Sequence, residues 1–169
     1  ELVVVRPAFR ANLPRLFRLL LGTRPLHYIP NGSPLPVADP PAEQRANLRQ
    51  EWLRGQQRLV VFSGFVMPGK GVELLFDIAD PASDQLVIAG QCDDAALGAL
   101  IATRRTEGPW QGKVTMAGFL PAEDLAMLLA LADAVVLPFR SGGGVWNSSI
   151  HGASAQGTFV LSTSREGEG

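Results

Sequence analysis

The chain has 169 residues, with 15 lysines and arginines against 16 aspartates and glutamates, 46% apolar residues and a net charge of −1. A chain of this length can bury about two thirds of the surface that it exposes when unfolded, so it needs neither disulfides nor a structural metal to fold. Its single cysteine cannot form an internal disulfide, two histidines are too few for a zinc site without carboxylates, and the balanced charge argues against a nucleic-acid-binding protein.

The apolar stretches are all shorter than the roughly 18 residues that a membrane span requires, so no span is predicted. The chain begins without methionine or a cleavable apolar segment and ends on the loop-like run 165–169. We therefore expect a fragment of a longer protein.

Prolines are frequent in the first 41 residues and leave room for short elements only. Leu2–Val5 is predicted to be a strand and Leu13–Leu21 a short amphipathic helix. The Asn-Gly pair within Ile29–Ser33 favours a turn, because asparagine and glycine accept positive φ. Residues 34–41 have the composition of a proline-rich linker, and Ala42–Gly55 is predicted to be helical. A domain boundary is therefore expected close to residue 30.

From Arg58 onward, short apolar runs that end in glycine or proline alternate with amphipathic stretches of helical length. The runs are Leu59–Gly64, Leu86–Gly90, Val114–Gly118 and Ala134–Pro138, and the stretches that follow them are Val72–Asp80, Asp94–Thr106, Ala122–Ala132 and Trp146–Ala155. A fifth run, Thr158–Ser162, closes the series without a following helix. Near-continuous apolar strands that alternate with helices indicate a parallel sheet covered on both faces. The pattern predicts a doubly wound, Rossmann-like α/β domain over residues 58–169.

Ligands of such sheets bind beyond the carboxyl ends of the strands, near helix N-termini. The loops in that position are residues 63–71, 90–94, 118–123, 138–147 and 162–169. Two of them are rich in glycine, and we take these two as the candidate binding loops.

The first glycine-rich loop, Gly64–Gly71, matches the G-x-x-x-x-G-K pattern of nucleotide triphosphatases. Gly71 stands where that pattern needs a Ser or Thr to hold Mg²⁺, and the fourth strand ends in Leu137-Pro138 instead of a metal-binding aspartate, so a triphosphatase is disfavoured. Gly64 and Lys70 could still bind phosphate through close backbone approach and a point charge. A tight turn with a solvated lysine is the alternative.

The second glycine-rich loop precedes the last predicted helix. Its glycines would offer consecutive N–H donors to an anion, and polar side chains follow them at the helix start. The glycines are Gly142, Gly143 and Gly144, and the polar residues are Asn147, Ser148 and Ser149. A flexible loop closed by a helix N-cap is the alternative.

The other polar candidates are expected to be structural. His151 fits a helix surface better than a general base, and His27, Cys92 and Trp110 have no partner spacing for ligation or nucleophilic chemistry. Acidic pairs such as Asp93-Asp94 are expected to complement helix N-termini. No nucleophile–base arrangement can be identified, so the catalytic residues remain unassigned, and no metal site is predicted.

Several segments follow one another in an order and spacing typical of a known family. They are Ile29-Pro30-Asn31-Gly32-Ser33, Phe62-Ser63-Gly64-Phe65 with Lys70-Gly71, Ile88-Ala89-Gly90, Ala117-Gly118-Phe119-Leu120-Pro121, Leu131–Arg140 and Ala153–Val160. In these segments the chain resembles the C-terminal half of GT-B glycosyltransferases of family 4, over nearly its whole length.

The resemblance implies that residues 1–29 are the tail of a missing N-terminal domain, residues 30–57 an interdomain linker and helix, and residues 58–169 a domain that binds a nucleotide-diphosphate sugar. It implies that Gly64 and Lys70 face the donor diphosphate and that the backbone of Gly118, Phe119 and Leu120 lies near the base. The loop from Gly142 to Ser149 would cradle phosphate and sugar.

Two departures from the family pattern concern this same site. The paired glutamates of the family, eight positions apart, would fall at Gly144 and Gly152, and the arginine that often follows the first-loop glycine is Phe65. Asn147, Ser148 and Ser149 are the expected replacements for the lost acidic groups.

The function that this implies is donor binding for a sugar transferase of polysaccharide or glycoconjugate biosynthesis. The full enzyme would move a hexose-like sugar to an acceptor hydroxyl with retention, stabilising the leaving diphosphate through Lys70 and loop N–H groups without an obligatory metal or other cofactor. The acceptor, a sugar or glycolipid, would contact the N-terminal domain, and the full-length protein would be cytoplasmic, at the inner face of the membrane. The fragment alone is expected to be inactive, and the alternative is a noncatalytic module for nucleotides or sugar nucleotides with a decayed site.

Overall fold

The structure, a computed structural model, describes residues 1–5 and 8–164. At the N-terminus, strands β1 (Leu2–Val4) and β2 (Leu26–Tyr28) pair in parallel, and helix α1 (Arg15–Leu21) lies between them in sequence. Helix α2 (Ala42–Leu53) follows after the proline-rich segment. The predicted strand and the two predicted helices of this region are thus present, each within two residues of the predicted bounds.

The larger sheet that the described residues form has five parallel strands in the order β5-β4-β3-β6-β7. Its strands are β3 (Arg58–Ser63), β4 (Asp84–Ala89), β5 (Val114–Gly118), β6 (Ala134–Leu137) and β7 (Val160–Ser162). The flanking helices are α3 (Leu75–Ile78), α4 (Ala95–Thr106), α5 (Ala122–Leu131) and α6 (Ser148–Ala155), with 3₁₀ turns at Val72–Leu74 and Gly108–Trp110. The predicted doubly wound α/β fold is confirmed.

The core lies in the middle of this sheet, because its central strands are apolar on both faces. β3 is buried from Leu59 to Ser63, and β4 is buried along its whole length. Trp110, which the sequence assigned to a structural role, is only 2% exposed and donates its indole N–H to the carbonyl of Phe76 at 3.0 Å.

Local sequence explains where the observed elements differ from the predicted ones. The predicted helix Val72–Asp80 is a 3₁₀ turn followed by the single turn of α3, because Ala79 is extended and Asp80 precedes a proline, which disfavours helical backbone. The predicted helix Ala42–Gly55 ends at Leu53, since Arg54 and Gly55 both have positive φ. Asp94 caps α4 by accepting a hydrogen bond from the Leu97 N–H at 2.8 Å, as expected of an acidic residue at a helix start.

Candidate functional site

A cleft opens at the carboxyl end of the sheet, where the strand order reverses. β3 comes first in sequence among these strands, with β4 and β5 on one side of it and β6 and β7 on the other, so the connections from β3 to β4 and from β6 to β7 run in opposite directions along the sheet. Such a switch point is where open α/β sheets bind ligands. The cleft has a volume of about 270 Å³ and is lined by Phe62, Ser63, Gly64, Phe65, Lys70, Ala89, Gly90, Gln91, Gly118, Phe119, Leu120, Leu125, Phe139, Trp146, Asn147, Ser148 and Ser149.

Most of the residues that the sequence proposed for a site line this cleft. They are Gly64, Lys70, Gly118, Phe119, Leu120, Asn147, Ser148 and Ser149. Gly142 lines an adjoining cavity of about 220 Å³, which shares Lys70 and Asn147 with the cleft, whereas Gly143 and Gly144 line neither. Residues 165–169, at the end of the fifth candidate loop, lie outside the described residues.

The loops around the cleft are fixed to one another through their backbones. The Arg140 N–H donates to the Gly69 carbonyl at 2.9 Å, and the Gly64 N–H donates to the Ala89 carbonyl at 3.0 Å. A Cβ atom at Gly71 would lie 1.9 Å from the Pro138 carbonyl oxygen. The serine or threonine of a triphosphatase loop therefore has no room at position 71.

Lys70 brings a positive charge to the cleft. Its Nζ lies 4.7 Å from the centroid of the Phe139 ring, and none of the described carboxylates is within ion-pair distance of it. Arg140, by contrast, is paired with Glu73 at 2.6 Å. A lysine that has no ion-pair partner among the described carboxylates and is flanked by Gly69 and Gly71 suits a phosphate group.

The start of α6 forms the opposite wall of the cleft, where the polar side chains of Asn147, Ser148 and Ser149 line it. Asn147 occupies the N-cap position, but its side chain makes no capping hydrogen bond. A Cβ atom at Gly64 would lie 3.2 Å from Ser149 Oγ, so these two residues face each other. The helix N-terminus adds its partial positive charge to that wall.

The second glycine-rich loop, residues 142–144, differs from the expected cradle of three free N–H donors. The Gly142 N–H donates to the Phe139 carbonyl at 3.0 Å, and the Gly143 N–H donates to the Thr163 carbonyl at 2.6 Å. His151, on α6, holds the same loop through a 2.7 Å contact between Nε2 and the Val145 carbonyl. Two of the three glycine N–H donors thus fix the loop, which the glycine pattern alone could not reveal.

Apolar side chains form the remaining walls. Phe119 is 77% exposed and Phe65 is 65% exposed, although both are large aromatic residues. Exposed aromatic faces at a concave site suit a planar ring such as a nucleobase. Phe65 was expected only as a departure from the family pattern. Three further lining residues, Gln91, Phe139 and Trp146, lie in the candidate loops but were not predicted as site residues.

The two positions where the family would place glutamates are filled by neighbouring side chains. A Cβ atom at Gly144 would lie 2.4 Å from the six-membered ring of Trp146, and one at Gly152 would lie 3.1 Å from Leu35 Cδ1. Gly152 is buried and faces the segment that precedes α2. The space next to both glycines is therefore occupied by apolar groups.

Among the described residues, Arg58 and Asp80 have clearly shifted pKa values, and both lie at the other end of the sheet. A hydrogen bond and the charge of Asp84 raise the pKa of Arg58, and hydrogen bonds from the Ala82 N–H and the Ser83 hydroxyl lower the pKa of Asp80. Arg58 begins β3, and Asp80 precedes β4. These interactions stabilise the amino ends of the strands.

Among the described residues, no three His, Cys, Asp or Glu side chains are grouped so as to hold a metal ion. The helices of the same part of the chain are all too short or too polar to cross a membrane.

The sequence model of the family described as "Glycosyl transferases group 1" matches residues 56–169. No curated protein matches the sequence. Solved structures with a similar fold include HepE of Anabaena in complex with UDP and glucose, at a TM-score of 0.70 and 18% identity over 94% of this chain and 42% of that one.

Sucrose-phosphate synthase of Thermosynechococcus elongatus is also similar, at a TM-score of 0.70 and 26% identity over 94% of this chain and 39% of that one. WaaG, a glycosyltransferase involved in lipopolysaccharide biosynthesis, is similar at a TM-score of 0.62 and 19% identity over 80% of this chain and 37% of that one. The chain thus spans about two fifths of the length of the structures that it resembles.

Proposed function

We infer that the cleft binds the nucleotide-diphosphate sugar from which the enzyme takes its sugar, because this chain belongs to the family of group 1 glycosyl transferases. The chain has the fold of the Rossmann-like domains of GT-B glycosyltransferases. We assign it to the C-terminal, donor-binding half of a family 4 enzyme. Residues 1–29 then belong to the end of the acceptor-binding domain, and residues 30–57 cross between the two.

The observation that carries this proposal is the convergence of three kinds of group on one cleft. Phe65 and Phe119 offer aromatic faces for the base, and the start of α6 offers polar groups for the sugar. Lys70, which has no ion-pair partner among the carboxylates that the structure describes, offers a charge for the diphosphate. UDP is the first ligand to test, because HepE was solved with UDP and with UDP-glucose.

The chemistry expected of the site is electrostatic. As the bond between sugar and diphosphate breaks, negative charge grows on the leaving diphosphate, and Lys70 together with the N-terminus of α6 would stabilise it. This requires no obligatory metal or other cofactor. The sugar would pass, with retention, to an acceptor hydroxyl held by the N-terminal domain, so the chain alone should bind donor without transferring it.

The biological setting that we propose is polysaccharide or glycoconjugate biosynthesis. A sugar or glycolipid acceptor would place the complete enzyme in the cytoplasm, at the inner face of the membrane.

Calorimetric titration with UDP, ADP, GDP and UDP-glucose, with and without Mg²⁺, tests the proposal. Because the acceptor half does not contribute, a dissociation constant of about 0.1–1 mM is expected for the matching nucleotide. Chemical-shift changes on adding that nucleotide should map to the loops after β3, β5 and β6. Changes confined to the amino ends of the strands would place the site elsewhere.

A noncatalytic nucleotide-sugar module is the second candidate, because Trp146 and Leu35 fill the space at Gly144 and Gly152. Donor binding by this chain is common to both candidates. A transfer assay on the full-length protein separates them, since only an enzyme releases the nucleotide when acceptor is added.

The polar side chains at the start of α6 give a first mutational test. Asn147→Ala and Ser149→Ala should each weaken UDP-glucose binding by about 2- to 12-fold, the value of one hydrogen bond, as measured by calorimetry. Because the Asn147 side chain makes no capping hydrogen bond, Asn147→Ala should leave the melting temperature nearly unchanged. Ser154→Ala, on an exposed position of the same helix, is the control. Equal affinities for all three variants would remove α6 from the site.

Restoring the second family glutamate gives another test. Gly152→Glu should lower the free energy of unfolding by about 1–2 kcal/mol, because the glutamate side chain at this buried position must displace Leu35. We expect it to weaken UDP binding too, since α6 is moved. Ser154→Glu adds the same charge on an exposed position of α6 and should change neither quantity. Thermal melts measure the stability and calorimetry measures the UDP affinity. Tighter UDP binding by Gly152→Glu would instead indicate a decayed site that the glutamate repairs.

A further inference from the structure

The chain segment before α2 runs along α6 and is attached to it at both ends. Residues 31–38, which we call the strap, begin with Asn31, whose Nδ2 donates to the Trp146 carbonyl at 2.6 Å. At the other end Gln156 accepts from the Ala38 N–H and donates to the Pro36 carbonyl, both at 2.8 Å. A pair of hydrogen bonds from one amide side chain to the backbone fixes both the position and the direction of the strap.

Between these two ends the strap packs against the middle of the helix. Leu35 lies against Gly152, the buried position of α6 that carries no side chain. The Leu35 N–H donates to Ser33 Oγ at 3.0 Å, and Pro34 and Pro36 flank this turn. Because proline fixes φ, little conformational entropy is lost when the strap docks.

The same end of α6 that holds Asn31 also forms a wall of the cleft. Trp146 lines both the cleft and the adjoining cavity, and Asn147, Ser148 and Ser149 follow it directly. The Asn147 N–H donates to the Gly144 carbonyl at 2.9 Å, so the backbone of this wall is one continuous turn. A displacement of the Trp146 carbonyl must therefore move the side chains that line the cleft.

We propose that Asn31 is a positioning residue for the ligand cleft, which acts through the Trp146 carbonyl to hold the wall 146–149. Residue 31 directly follows the point where the chain leaves the β1-α1-β2 unit, so the orientation of that unit is coupled to the shape of the cleft. The identity of the ligand rests on the proposed function, whereas the coupling between the strap and residues 146–149 does not.

The test uses the isosteric variant Asn31→Asp, which replaces the donating amide with an oxygen facing a carbonyl. Hydrogen exchange should become about tenfold faster in peptides covering 143–149, while β3 and β4 stay protected. UDP should bind about 3- to 10-fold more weakly. Asn47→Asp makes the same chemical change on an exposed position of α2 and should alter neither measurement.

Two further variants separate positioning from a general loss of stability. Asn31→Ala removes the donor without adding a charge and should reproduce the local effect if Asn31→Asp folds poorly. Gln156→Ala frees the far end of the strap, away from Trp146, and should speed exchange at 35–38 with a smaller change in UDP affinity.

Equal exchange in the Asn31 and Asn47 variants would overturn the proposal, as would exchange that rises equally over the whole sheet. Faster exchange at 143–149 in a protein that binds none of UDP, ADP, GDP and UDP-glucose would retain the coupling and refute the proposed function instead.

Discussion

Replacing Lys70 with alanine should weaken UDP binding by about 10- to 150-fold, which corresponds to about 1.5–3 kcal/mol for a hydrogen bond to a charged group. The lysine faces the cleft, and the described carboxylates all lie beyond ion-pair distance of it, so a diphosphate would be its main electrostatic partner. Calorimetry at two salt concentrations should show the wild-type affinity falling with salt more steeply than that of Lys70→Ala.

Lys113→Ala is the matched control for this experiment. Lys113 precedes β5 at the amino end of the sheet, where its Nζ donates to the Pro81 carbonyl at 2.7 Å. The Lys113→Ala variant removes the same charge far from the cleft and should leave UDP affinity unchanged. Lys70→Ala should cost only about 0.5–1 kcal/mol of stability through the lost contact with Phe139. Equal UDP affinity in the two folded variants would exclude Lys70 from the site.

The architecture of the larger sheet could be predicted from sequence because each strand and helix is indicated by residues that are close together in the chain. Each strand contains a short, mainly apolar run, and glycine or proline ends most of these runs, so the alternation with helices is visible without knowledge of contacts. The position of the cleft then follows from the rule for parallel sheets. Gly64 and Lys70 were found in this way, because both belong to the glycine-rich loop at the end of the first predicted strand, whereas Phe119 was named through the family resemblance.

The parts of the site that depend on distant contacts could not be predicted. Nothing near Gly143 in sequence indicates that its N–H bonds to Thr163, and nothing near Gly152 indicates Leu35. Asn31 was identified as a turn residue, but its partner is 115 residues away. Short polar side chains in loops choose partners by tertiary geometry, which a single sequence does not record.

Gly71→Ser, which recreates the complete triphosphatase pattern, should lower stability by about 3–5 kcal/mol. Gly71 has a φ of 68°, which costs a residue with a side chain about 1–2 kcal/mol. Its Cβ would also lie 1.9 Å from the Pro138 carbonyl oxygen, so the loops after β3 and β6 must separate. Thermal unfolding should show a melting temperature roughly 10 °C lower.

Gly69→Ser separates the loss of stability caused by a positive φ from the loss caused by the contact with Pro138. Gly69 also has a positive φ, 89°, but a Cβ atom there would meet nothing within 4 Å. This variant should therefore lose only about 1–2 kcal/mol, and the difference between the two variants measures how tightly the two loops pack. Because that packing leaves no space for a hydroxyl at position 71, Gly71→Ser should not gain Mg²⁺-dependent binding of ATP. Equal melting temperatures for the two variants, with new Mg²⁺-dependent ATP binding in Gly71→Ser, would contradict this loop arrangement and restore the triphosphatase hypothesis.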